Sequence, residues 1–68
     1  MKYTDDDFTR IMNEHGDTVL RICAVRLGNL FDAQDAFQEV FISLYNAKNK
    51  PVGPHIKPWL IRCAINEC

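Results

Sequence analysis

The sequence predicts an all-α fold of three helices, and three observations predict it. Apolar residues recur at spacings of three and four through two long segments and a shorter third one. No run alternates apolar and polar residues as a half-buried strand does. The segments are separated by strong breakers: Gly28-Asn29 after the first, and Pro51, Gly53 and Pro54 between the second and third.

The first helix is expected over about 4–28. Thr4 with Asp7 three residues on is an aspartate version of the capping box, and Asp5, Asp6 and Asp7 suit the positive end of a helix dipole. Phe8, Ile11, Met12, His15, Val19, Ile22, Cys23 and Leu27 form one face. Gly16 interrupts the segment at a cost of roughly 1 kcal/mol relative to alanine, so a tolerated glycine or a kink is expected there. Gly28-Asn29 ends it.

The second helix is expected over 32–47, with Asp32 as its N-cap. Ala33, Ala36, Phe37, Val40, Phe41, Leu44 and Tyr45 make its apolar face. Gln34, Asp35, Gln38, Glu39, Ser43 and Asn46 make the other, with Ile42 apolar among them. Residues 48–57 read as a basic loop without regular structure. The third helix is expected over 58–68, with Pro58 at its first position and Leu60, Cys63, Ala64 and Ile61 turned inward. It reaches the end of the sequence without a cap signal and reads as a truncated helix.

Sixty-eight residues make one domain at most, with little room for a deep substrate pocket. The net charge of −1 hides a division. Residues 1–47 carry four basic residues against eight acidic ones, a charge of −4; residues 48–68 carry four against one, a charge of +3. Such asymmetry points to different partners for the two parts. No apolar run reaches the roughly 18 residues of a membrane span, and the acidic N-terminus is unlike a signal peptide. A cytoplasmic protein is expected, its three cysteines reduced thiols without CxxC spacing.

Catalysis finds little support. His15 and His55 are the only histidines, no glycine-rich phosphate loop is present, and Asp32, Asp35 and Glu39 are better explained as capping and surface groups. No cofactor is expected. A zinc site from His55, Cys63 and Cys68 has suitable donor types, but the two cysteines lie five positions apart, which turns them about 140° from one another on a helix. The sharpest constellation is the basic loop with the third helix. Its lysines attract phosphates, Trp59, His55 and Arg62 are groups that stack on unpaired bases, and Asn66 is suited to a base edge. The competing role for Trp59 is that of the main core anchor.

These residues also carry a family resemblance. Asp32-Ala33-Gln34-Asp35-Ala36-Phe37-Gln38-Glu39-Val40-Phe41-Ile42-Ser43-Leu44-Tyr45 resembles the DAEDxxQEVFxxLY stretch of bacterial sigma factors of the extracytoplasmic-function type. Pro58-Trp59-Leu60-Ile61-Arg62-Cys63-Ala64-Ile65-Asn66 resembles their following WLxxIAxN helix, and Arg26-Leu27-Gly28-Asn29 the close of their opening helix. The motifs occur in order over nearly the whole chain. The resemblance implies a sigma-70 region 2 domain across 1–68, a non-enzymatic factor of transcription initiation. In that family the second helix docks on the β′ clamp coiled coil of RNA polymerase. The last helix and the preceding loop bind the −10 promoter element and capture a flipped base of its non-template strand.

Carried over by position, the resemblance implies polymerase contacts at Asp35, Gln38, Glu39 and Ile42, and promoter contacts at Asn49, Lys50, His55, Lys57, Arg62 and Asn66. An anti-sigma factor is implied as a further partner. Against the family pattern, the 68 residues stop before the usual continuation of the third helix and the second, helix-turn-helix domain, so they are expected to be an isolated or truncated domain, and Cys63 stands where isoleucine is frequent. The alternative is a helical protein-interaction domain, a sigma-like remnant that binds polymerase or a regulator without reading DNA. A small metal-dependent enzyme or zinc sensor is the third class.

Overall fold

A computed structural model describes residues 4–67. It contains α1 (Asp5–Leu27), α2 (Leu30–Asn46), a 3-10 turn at Gly53–His55, and α3 (Ile56–Glu67). No strand occurs among the described residues. The molecule is elongated, 36 × 19 × 19 Å. Its long axis matches the roughly 35 Å that a 23-residue helix spans at 1.5 Å per residue.

Local chemistry explains the helix ends. At the start of α1 the Thr4 hydroxyl accepts from the Asp7 amide and the Asp7 carboxylate accepts from the Thr4 amide, both at 3.1 Å. This reciprocal box, with Arg10 reaching Asp7 at 3.2 Å, holds the Asp7 carboxyl below the usual carboxylate range; the Thr4 amide is the largest cause. Gly28 closes α1 in the left-handed region at φ +77°, which glycine adopts without a Cβ penalty. Its amide donates to the Ala24 carbonyl.

Two boundaries differ from expectation. α2 starts two residues early, at Leu30, and its N-cap is Asn29, not Asp32. The Asn29 side chain accepts from the Asp32 amide at 2.8 Å and donates to the Asp32 carboxylate at 2.7 Å. Both residue types cap well, and the extended backbone of Asn29 immediately after Gly28 decides between them. Residues 48–57 are not wholly irregular either. The 3-10 turn at Gly53–His55 runs into α3, which begins at Ile56, so Pro58 is its third residue, not its first. Proline is accepted there because amides of the first turn lack intrahelical partners in any case. Residue 68 of the expected third helix, and with it Cys68, lies outside the described residues.

The core draws on all three helices: Ile11, Val19 and Cys23 from α1, Ala33, Ala36, Val40, Phe41 and Leu44 from α2, Leu60 and Ala64 from α3. The anticipated faces of α1 and α2 supply nearly all of it. Tyr45 is the exception, 64% exposed at the end of α2, its ring edge-on to Phe8 at 5.7 Å. α1 runs unbroken through Gly16, which is buried with its α-carbon facing the Phe37 ring, so the glycine is tolerated without a kink. Trp59 is half-buried: it packs on the core but does not form its centre, which is Leu44, Leu60, Val19, Val40 and Cys23.

Candidate nucleic-acid and polymerase interfaces

The loop and α3 together shape two neighbouring depressions. One is a cleft of about 370 Å³ lined by Asn49, Pro51, His55, Pro58, Trp59 and Arg62. The other is an open trough of about 470 Å³ along the outer side of α3, lined by Lys57, Pro58, Ile61, Arg62, Ile65 and Asn66. Arg62 and Pro58 belong to both. The cleft exists because the chain leaves α2 at Asn46, is pinned by the buried Pro51, and turns at Gly53–His55 back onto the first turns of α3. Positive φ at Gly53, +56°, makes that turn possible.

Of the promoter-facing residues expected from sequence, Asn49, His55 and Arg62 therefore converge on the cleft, and Lys57, Arg62 and Asn66 on the trough. All five are exposed, and none has a side-chain hydrogen bond or ion pair among the described residues. Their donors face solvent, available to phosphate or base. Lys50 is placed differently. Its ammonium donates to the Tyr45 and Ala47 carbonyls at the end of α2, both at 2.8 Å, and it lines neither depression. Trp59 supplies the cleft with a large aromatic surface. Its intermediate burial reconciles the two roles considered for it: part of the side chain packs on the core and part walls the cleft.

The second surface is the outer side of α2. Asp35, Gln38, Glu39 and Ile42 are all exposed or partly so, Ile42 to 49%. The structure adds residues that sequence reasoning placed in a turn or in the core. Phe31 is 84% exposed on the first turn of α2, and Leu30 and Tyr45 are exposed as well. Phe31, Asp35, Gln38, Ile42 and Tyr45 follow at steps of four, three, four and three, a single stripe down the helix. The same spacing is visible in the sequence once α2 is known to begin at Leu30. A groove of about 320 Å³ flanks the stripe, lined by Phe8, Met12, Phe37, Gln38, Phe41, Ile42 and Tyr45.

No three histidine, cysteine, aspartate or glutamate side chains among the described residues gather as a metal site. No disulfide joins Cys23 and Cys63; burial, reinforced by Glu67, pushes the Cys63 thiol up against a smaller opposing effect of a hydrogen bond with Ser43. No helix among the described residues is long and apolar enough to cross a membrane.

The molecule is thus a three-helix unit with an aromatic-walled cleft beside α3 and an exposed, largely apolar stripe on α2. The chain belongs to the sigma-70 region 2 family, which it matches over residues 11–68. It is 33% identical over 66 residues to the ECF RNA polymerase sigma factor SigW of Bacillus subtilis (strain 168), an alignment covering 96% of this chain and 35% of that protein. The chain thus spans about a third of the length of that relative. No solved structure matches. The family match and the relative uphold the sequence resemblance, and the three helices uphold the all-helical class.

Proposed function

We propose that this chain docks on the β′ clamp coiled coil of RNA polymerase through α2 and holds the single-stranded −10 promoter element in the cleft between loop and α3. The observation that carries the reading is the convergence of Asn49, His55 and Arg62 with Trp59 around one cleft, and of Lys57 and Asn66 beside it. These residues are spread over 18 positions of sequence and meet only in the fold. A stacking surface, cationic or ionisable groups and two amide side chains are what a flipped base and its flanking phosphates require. Extrusion of a base costs a few kcal/mol of unstacking, which contacts in such a cleft offset. The domain itself carries no reaction; it binds one conformation of DNA and so favours opening of the duplex. The work is done in the cytoplasm, where an anti-sigma factor is a further partner.

The α2 stripe supports the polymerase half of the proposal. A seam spaced four-three-four-three is what a partner helix packs against, and apolar Phe31, Ile42 and Tyr45 among Asp35, Gln38 and Glu39 combine area with polar selection. The same stripe would serve a protein-interaction domain that reads no DNA, and one experiment separates the two. Arg62→Ala with His55→Ala is expected to weaken binding of short deoxynucleotide single strands roughly tenfold at low salt, and to leave affinity for the clamp coiled coil unchanged. Gln38→Ala with Glu39→Ala is expected to do the reverse. Wild-type protein that binds no single strand at any low salt would leave only the protein-interaction reading.

A further inference from the structure

Lys50 stands apart from the other basic residues of the loop. Both of its chain neighbours, Asn49 and Pro51, line the cleft, and Lys50 does not. Its half-buried side chain turns the other way, and its ammonium donates to two carbonyls at the end of α2. The last turn of that helix contains no basic residue of its own. Its carbonyls are the negative end of the helix dipole and lack intrahelical donors, so a cation three residues past the cap supplies both charge and hydrogen. Ala47, the C-cap, is already extended, and its amide reaches the Leu44 carbonyl at only 3.3 Å. The Lys50 bonds, both 2.8 Å, are shorter and bind the loop to the helix more closely.

We infer that Lys50 is a positioning residue, which ties the loop to the C-terminus of α2 and thereby sets Asn49, between that tie and the buried Pro51, at the wall of the cleft, and that it is not a phosphate contact. The inference deepens the proposed reading of the cleft and rests on it. One end of the tie, Tyr45, belongs to the exposed stripe of α2; the other adjoins the cleft. Freed from the tie, residues 47–50 would no longer follow one fixed path into the buried Pro51. Asn49 would then sample many positions relative to Trp59 and Arg62, so discrimination among bases would suffer before general attraction to phosphates did.

The two roles differ in salt dependence. Removing a cation that neutralises one phosphate of a single strand lowers the slope of log K against log salt by about 0.7 and weakens all sequences alike. Removing a positioning bond leaves the slope unchanged and lowers the preference for one base over another. The test measures binding of short homopolymers of deoxyadenosine, deoxycytidine and deoxythymidine, by quenching of Trp59 fluorescence, at several salt concentrations. Lys50→Met, which keeps the apolar stem, is expected to reduce the ratio of best to worst affinity by roughly three- to tenfold with the wild-type salt slope. A slope lower by about 0.7 with the ratio preserved would overturn the inference, as would a variant indistinguishable from wild type. Should Lys50→Met fail to fold, Lys50→Gln, neutral but still a donor, is expected to keep the wild-type salt slope and part of the base preference, and a slope lower by about 0.7 would overturn the inference. Wild-type protein that binds none of the homopolymers would overturn the cleft reading itself, a result separate from any change at Lys50.

Discussion

Replacement of Gly16 by alanine is expected to stabilise the domain. Gly16 lies in the middle of α1, a helix unbroken from Asp5 to Leu27, where glycine costs about 1 kcal/mol relative to alanine. The position is buried, so the usual reason for a glycine there would be a neighbour too close for a methyl group. A Cβ at Gly16 would meet the Phe37 ring at 3.6 Å from Cε2 and Cζ, ordinary van der Waals contact. The methyl therefore fits without movement of α2, and its burial adds up to about 0.8 kcal/mol. Together these give a gain of about 1–2 kcal/mol, and each kcal/mol raises the melting temperature of a domain this size by roughly 4–8 °C. Thermal unfolding followed by far-UV circular dichroism measures it. Gly16→Leu, whose branches reach beyond the Cβ into the Phe37 ring, is expected to lower the melting temperature instead. An unchanged or lowered value for Gly16→Ala would refute the reasoning, because it would mean that α1 and α2 approach more closely at Phe37 than a 3.6 Å separation allows.

The surface and the first helix cap supply two more predictions. Phe31→Ala is expected to leave stability within about 0.5 kcal/mol, since the ring is 84% exposed, while weakening binding to the clamp coiled coil roughly fivefold or more in calorimetry; equal affinity would remove Phe31 from the stripe. At the start of α1, the lowered pKa of Asp7 means the carboxylate favours the folded state, chiefly through the Thr4 amide. That contribution is fully present above the ordinary aspartate pKa and is lost as pH falls through the lowered one, so the melting-temperature gap between wild type and Asp7→Asn should close on acidification across that window; a gap independent of pH would contradict it. The group lies at the surface, partly exposed, so solvent screening keeps the gap small.

Legibility in the sequence differed between elements for physical reasons. The faces of α1 and α2 could be read because burial imposes the helical period directly on residue type, as at Val19, Cys23, Val40 and Leu44. The start of α2 could not, because Asn29 and Asp32 are both competent caps and the choice depends on the path of the chain out of Gly28. With that boundary set at Asp32, Leu30 and Phe31 fall in the turn, and the exposed stripe of α2 is deprived of its first member. The helical register of Pro58 shifted for a similar reason, since proline is tolerated throughout a first turn and marks no single position in it. Tyr45 has the spacing of a core residue, yet the end of α2 lies where α1 no longer covers the ring completely, and edge contact with Phe8 is what remains.

Sequence alone determined the fold class, the helix faces, the division of charge and the family, because each is written in local pattern or in motif order. Tertiary structure decided which of the loop and α3 residues share a surface. Asn49, His55 and Arg62 come together only because Pro51 is buried and Gly53 turns the chain back upon α3. It also decided that Lys50, one of three lysines in a short basic loop, directs its charge to the end of α2. A lysine looks the same in sequence whether it faces a phosphate or a helix terminus; only the direction of its side chain, set by the packing around it, tells the two apart.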